Sequence, residues 1–360
     1  MTHWQGFEDE LLKKEFRSHT SRRRQGADES TAEDDKYWLG VMSSALEHID
    51  KKIHCIPKGN ALLRFLDLGY VSRFECFFPE RICAKIDDWC HPHSCCPGGF
   101  SDYVLRMNPE AQGIGMSLEQ ENGGHGLAIP FPQRARFEIY WTDITYLAIC
   151  SPQSRRLQPT TAALFQMPFV PKGFQLVFLD GQHRRPQESD ATHPWDIDRL
   201  LIAQLIIALQ SLDRGGTLIV KLSHLESATT ARLVYMLDKL SRTVVVFKPY
   251  VHATRGSFYG VARGVGQGQE WEKRAWYMKN LRKVWWNLTY DGSQSEGRWL
   301  KEEDLDFIVR FETLGGAYLE RLIKLGRGAW RAQSNALRRA YCRIREAAAE
   351  HDTGSESPEL

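Results

Sequence analysis

The run Phe65-Leu66-Asp67-Leu68-Gly69 is largely apolar with an acid and a glycine near its end, and further along stands Cys95-Cys96-Pro97-Gly98-Gly99-Phe100-Ser101. An apolar run of this length reads as a strand buried in a parallel sheet. Pro-Gly-Gly before an amphipathic stretch reads as a turn into a helix. In direct succession, such a strand, turn and helix build a ligand cradle. The glycines let the backbone approach closely, and the first helical turn presents N–H groups. Here the two halves are separated by the 25 residues Tyr70 to Ser94, so the fold has to reunite segments that the chain holds apart.

The rest of the chain alternates between strand and helix patterns. Leu62–Leu68 is followed by strand candidates at Gly113–Leu118, Phe137–Trp141, Phe174–Leu179, Thr217–Leu222, Thr243–Phe247 and Phe258–Ala262. Helical spacing marks Tyr37–Ile53, Phe100–Met107, Trp195–Leu212 and Ser227–Leu240, and Asp213-Arg214-Gly215-Gly216 makes a turn from helix to strand. Such repetition predicts an α/β fold whose mostly parallel sheet is covered on both faces. Residues 1–36, poor in apolar side chains, and the Ser- and Glu-rich 348–360 are expected to be disordered. Between them the expected divisions are a main domain over 37–265, interrupted at 70–94, and a Trp-rich helical extension over 266–347.

At 360 residues the chain can bury a large core, and its net charge of +2 gives no global basic field for nucleic acid. Local basic runs remain, at Arg22-Arg23-Arg24 and beyond residue 270. No apolar run reaches membrane length, and no signal-peptide pattern opens the chain. Outside the interrupting stretch the cysteines are few and scattered, which fits a reduced intracellular compartment, nucleus, cytoplasm or mitochondrion. Six tryptophans, 271, 276, 285, 286, 299 and 330, fall in the extension among lysines and arginines. They either stack RNA bases or pack a helical appendage onto the main domain, and their helical spacing favours packing.

The interrupting stretch carries Cys76, Cys83 and Cys90 with His91 and His93, and Cys95 and Cys96 follow it. These residues could form a tetrahedral metal shell, although no paired Cys-x-x-Cys knuckle is present. The other reading is translated intron. Gly69-Tyr70-Val71 is compatible with codons containing a G-T-A-T-G-T donor, Ser94 with an A-G acceptor, and excision of the interval keeps the frame. No resident metal is expected.

With the gap closed, the motif becomes Asp-Leu-Gly-Cys-Cys-Pro-Gly-Gly-Phe-Ser. It resembles the S-adenosylmethionine loop of the FtsJ-type methyltransferases, which methylate ribose 2′-hydroxyls of RNA. The similarity extends over residues 62–69 and 96–265, and the Trp-rich extension resembles a fungal branch of that family. It implies a Rossmann-like methyltransferase fold with S-adenosylmethionine as cofactor and RNA as substrate. Cofactor contacts are then expected at Asp67, Gly69, Pro97, Gly98, Gly99, Phe100, Asp143 and Asp180. Gly113-Ile114-Gly115-Met116-Ser117-Leu118 resembles the strand that presents its end to the ribose. For Asp143 the residues alone also allow an N-cap of the following turn.

Three positions stand out for chemistry. Asp180 ends Phe174–Leu179, where an acid can reach both cofactor and substrate. Lys221 follows an apolar strand; desolvation there lowers its pKa and suits it to take a proton from a hydroxyl, although a strand-end lysine can also snorkel to water. The resemblance implies a Lys-Asp-Lys-Glu tetrad, in which Ser257 of Arg255-Gly256-Ser257-Phe258-Tyr259 occupies the Glu position. Its first lysine is not found between Val41 and His48; Lys36 stands early and Lys51 and Lys52 late. Lys248 and Arg255 match family positions suited to phosphate. The expectation is a 2′-O-methyltransferase whose cofactor site is weakened by the insert. The alternative is a degenerate module that binds RNA or a protein.

Overall fold

The computed structural model describes residues 32–58, 62–69, 96–119, 126–149, 165–181, 195–292 and 297–353. Residues 70–95, which contain the expected insert and its cysteines, lie outside them, as do the first 31 and last seven residues. Seven strands make one sheet: β1 (Arg64–Leu68), β2 (Gln112–Ser117), β3 (Phe137–Trp141), β4 (Phe174–Leu179), β5 (Leu212–Ser223), β6 (Ser241–Phe247) and β7 (Ser257–Val265). Their order is β3-β2-β1-β4-β5-β7-β6. The first five run parallel, whereas β7 inserts antiparallel between β5 and β6. A short connection from β6 to β7 leaves no room for a crossover helix, so that pair can only be antiparallel.

The central strands are apolar at nearly every position because both faces are covered. On one face pack α1 (Ala32–Ile53) and α2 (Gly99–Met107), with a core of Leu46, Ile49, Phe65, Phe100, Val104 and Phe178. Four helices cover the other: α3 (Asp196–Ser211), α4 (Ala228–Leu240), α5 (Arg274–Tyr290) and α7 (Leu319–Thr353), with the short α6 (Phe311–Gly315) before the last. Leu66, Leu68, Val177, Leu179, Leu218 and Val220 meet that layer.

Both ends of the described chain are more helical than composition suggests. The first helix begins at Ala32, inside the stretch expected to lack structure, and α7 runs to Thr353, past the expected boundary at 347. The Trp-rich segment is part of the main core rather than an appendage beside it. Trp285 is fully buried and α5 packs along α3, while Trp271, Trp276 and Trp299 keep exposures of 42, 50 and 43%. Arg214 stacks on the Trp271 ring at 4.5 Å, and Trp299 meets Trp195 edge to face. No helix of the described residues is long and apolar enough to cross a membrane.

Candidate active site

Side chains alternate along a strand, so residues two apart share a face. Asp67 is two residues past Phe65, Asp180 two past Phe178, and Lys221 two past Ile219, and all three aromatic or aliphatic neighbours face α1 and α2. Tyr259 lies directly opposite Lys221 in the β5–β7 pairing. The period of two therefore collects Asp67, Asp180, Lys221 and Tyr259 on one face of the sheet, at the carboxyl ends of its parallel strands. This is the edge where open α/β sheets hold their ligands.

The cradle forms beside them. Gly98 adopts φ +97° as the N-cap of α2 and gives no side-chain cap, so the first-turn N–H groups have no side-chain partner there. A Cβ at Gly99 would stand 2.5 Å from the Leu39 carbonyl oxygen and from Met42 Cβ, so glycine is what allows α2 to dock against α1. Pro97 closes the turn and Phe100 packs edge to face on Phe178. Ser101 Oγ donates to Asp67 Oδ2 at 2.7 Å, and Gly69 N donates to the Met116 carbonyl at 3.1 Å. The two halves of the split motif thus meet at the first turn of α2.

Asp67 is buried, and its Oδ1 has no hydrogen-bond partner among the described residues. Burial pushes its carboxyl up to about 8; the Ser101 hydroxyl opposes that rise and the charge of Asp180 adds to it. Ser117 ends the neighbouring β2, and its buried Oγ likewise lacks a partner among the described residues. An uncapped helix start and two unpartnered buried polar atoms suit a ligand with a charged group and hydroxyls.

Tyr259 Oη donates to Asp180 Oδ1 at 2.8 Å, and Lys221 Nζ stands 3.5 Å from the same oxygen. All three are within a few per cent of full burial. Burial raises Asp180, opposed by Lys221, Tyr259 and Arg255. Burial lowers Lys221 to about 8; Asp180 opposes the fall and the positive charge of Arg255 adds to it. Tyr259 is held well above its ordinary value, first by burial and then by Asp180. The product is an amine that loses its proton near neutral pH, fixed beside a carboxylate.

The remaining expected residues are placed less simply. Asp143 caps the turn after β3, accepting from Thr145 N at 2.8 Å and Thr145 Oγ1 at 2.6 Å. Ser257 pairs with Ser223, two residues before Tyr259 and on its face, and is buried. Lys248 does not project to solvent: its ammonium donates to the Arg255 carbonyl and to Gln333 Oε1 of α7, the latter at 2.9 Å. Arg255 does reach the cluster, its charge acting on both Asp180 and Lys221. Because α1 starts at Ala32, Lys36 is helical, and it is exposed, whereas Asp35 before it is buried. Ser101 and Tyr259 had not been singled out. Each stands inside a motif that had been read, and a hydroxyl two residues from a buried position was the available signal.

No curated protein matches the sequence. Among solved structures, a ribosomal RNA methyltransferase of Plasmodium falciparum is 14% identical, with 62% of this chain and 96% of that chain covered and a TM-score of 0.33. An rRNA methylase of Clostridium thermocellum is 10% identical, with 61% and 97% covered and a TM-score of 0.34. These likenesses are too remote to bear on function. The family model of FtsJ-like methyltransferases matches residues 85–262, which hold α2, every site strand after β1, Asp143, Asp180, Lys221 and Tyr259. β1 with Asp67 lies upstream of that match and joins the site through Ser101. Residues 85–262 thus match the model of the FtsJ-like methyltransferases, the sheet around them is Rossmann-like, and the cofactor its cradle suits is S-adenosylmethionine.

Proposed function

We propose that this domain methylates a ribose 2′-hydroxyl of RNA. The observation that carries the reading is the buried Lys221–Asp180–Tyr259 cluster at the strand edge beside the α2 cradle. When bound, S-adenosylmethionine supplies a methyl group already activated on a sulfonium, which leaves the protein two tasks, positioning and proton removal. Asp67, Gly69, the Pro97–Phe100 turn and Asp143 are the residues to hold the cofactor. Lys221 Nζ takes the hydroxyl proton, and its lowered pKa makes the neutral amine available. Asp180, fixed by Tyr259, orients that amine and, as a carboxylate, stabilises the ammonium formed when Lys221 takes the proton. Ser257 sits where the family has an acid, so that negative charge is missing, and the positive charge of Arg255 lowers Lys221 further.

Transfer of labelled methyl from S-adenosylmethionine to RNA tests the reading, followed by nuclease digestion to find the methyl on ribose. Lys221→Met and Asp180→Asn should each lower the rate by 100-fold or more, on the scale of removing a general base. Methyl found on bases would sink ribose specificity. Cofactor binding without transfer to any RNA would favour the degenerate binding module, for which Ser257 in place of an acid is the supporting observation.

A further inference from the structure

A cavity of about 430 Å³ opens between the turn after β5, the start of β7 and the last helix, α7. Leu225, Phe258 and Leu337 give it an apolar floor, and Trp330 and Tyr341 stand in its wall. The Trp330 ring is fixed from outside: its Nε1 donates to Glu226 Oε2 at 3.3 Å, and Glu226 Oε1 pairs with His224 Nδ1 at 3.1 Å. Gly326 lets α7 approach, since a Cβ there would come within 2.6 Å of Leu225 Cδ2. Lys248 bonded to Gln333 ties the helix to the sheet at the base of the cavity.

The helix itself is strongly basic. α7 holds eight lysines and arginines against four acids, three of which lie beyond Arg345, in a chain whose net charge is +2. Lys324, Arg327, Arg331, Arg338 and Arg345 are exposed and spaced three, four and seven residues apart. At 3.6 residues per turn they form one stripe about 60° wide. The cavity-lining Trp330, Ser334 and Tyr341 lie next to that stripe on the helix surface. Positive charge concentrated along one line beside an aromatic cavity is the pattern that tracks a single-stranded backbone and stacks a base turned out of it.

The cavity also has the right place. It is lined by Gly256 and Phe258, the two neighbours of Ser257, and by His224, which follows Ser223. Three residues of strand separate His224 from Lys221, about 10 Å. That distance suits neighbouring nucleotides of an extended strand, with one ribose at the amine and a nearby base in the cavity. α7 lies outside residues 85–262, which the family model matches.

We infer that α7 is the RNA-binding element of this protein: its Lys324–Arg345 stripe holds phosphates, and the Trp330 cavity takes one unstacked base near the methylated nucleotide. The inference rests on the RNA reading above and names the surface that serves it. The test is fluorescence anisotropy of the full chain with a labelled single-stranded oligouridine and with an abasic ribose-phosphate strand of equal length, across a salt series. The oligouridine should bind roughly tenfold or more tighter than the abasic strand, the scale of one stacked base. Arg327→Gln with Arg331→Gln should weaken both strands and lower the salt slope by about one to two. Ser334→Trp, which fills the cavity, should bring the oligouridine down to the abasic affinity with the slope unchanged. Trp330→Leu should do the same and Trp330→Phe restore binding, with calorimetric cofactor titration reporting that each variant is folded. Equal affinity for the two strands, no binding of either, or variants that bind as the parent does would overturn the inference. Base-dependent binding through α7 without methyl transfer would leave this interface standing and overturn the proposed reaction. Methyl transfer untouched by every α7 variant would do the reverse.

Discussion

Ser101 donates a 2.7 Å hydrogen bond to Asp67 across 34 positions of sequence. That one contact joins the end of β1 to the first turn of α2, the two pieces of the loop that residues 70–94 interrupt. In an uninterrupted chain the same two groups would be near neighbours along a short turn. Here the sheet and the α1–α2 packing set their meeting, because α2 is anchored by its own apolar face rather than by its link to β1.

The length of that link has a measurable consequence. Loop closure entropy grows slowly with length, so a long connection between Gly69 and Cys96 is expected to leave the fold intact while holding the Gly69 side of the cradle less tightly. Deletion of Tyr70–Ser94 should therefore tighten S-adenosylmethionine binding in calorimetric titration, with little change in thermal midpoint. Equal affinity of the two chains would show that the Ser101–Asp67 bond alone holds the cradle.

The proposed reaction makes Lys221 the source of its pH dependence. It needs the neutral amine, and burial brings the Lys221 pKa down to about 8, so the single-turnover rate should rise tenfold per unit below pH 8 and level off above it. Lys221→Arg, which stays protonated, should be inactive throughout. A flat profile in the parent enzyme would place the proton acceptor elsewhere.

Burial of Asp67 makes stability depend on pH. Its folded pKa, about 8, lies above the ordinary value of 3.8, so ionisation costs more in the folded than in the unfolded chain. The folded state is thus favoured below pH 3.8, and that advantage is lost progressively up to about pH 8. Asp67→Asn should raise the thermal midpoint by a few degrees above pH 8, with the gain fading on acidification, while cofactor affinity falls. A variant less stable than its parent at pH 8 would contradict this.

Tyr259→Phe removes one hydrogen-bond donor from a fully buried carboxylate. The expected cost is about 1–2 kcal/mol of stability, with Asp180 driven further up and transfer slowed about tenfold. Denaturant melts and single-turnover rates would read the two effects separately. A loss of stability without any loss of rate would make Tyr259 a packing residue only.

Lys248 serves the fold at its described position. Lys248→Met breaks the ties to the Arg255 carbonyl and Gln333 and should cost about 1–3 kcal/mol, read by thermal melting. The salt slope of RNA binding should not change. A drop in that slope would return Lys248 to phosphate binding.

Much of this architecture was legible along the chain. Periods of two and 3.6 are local properties, so β3 and β4 fall on the residues read as strands; Asp180 directly follows β4, whereas Lys221 stands inside β5, which runs on to Ser223. The cradle glycines were legible because only glycine permits Gly98 its positive φ and Gly99 its close approach to α1. The start of α1, Ala32–Tyr37, carries too few apolar residues for a local period to mark it, and it is helical as the continuation of the packed part of α1.

What only the tertiary structure decided were pairings between distant segments. Tyr259 joins Asp180 because β7 turns back between β5 and β6, an antiparallel step that no local period records. Lys248 turns inward because α7 brings Gln333 over the end of β6, and Trp285 is core because α5 lies along α3. A residue's type and spacing determine which face it takes on its own element. Whether that face meets solvent, a ligand or another helix depends on contacts across hundreds of positions, and those are set by how the whole sheet and its layers bury apolar surface together.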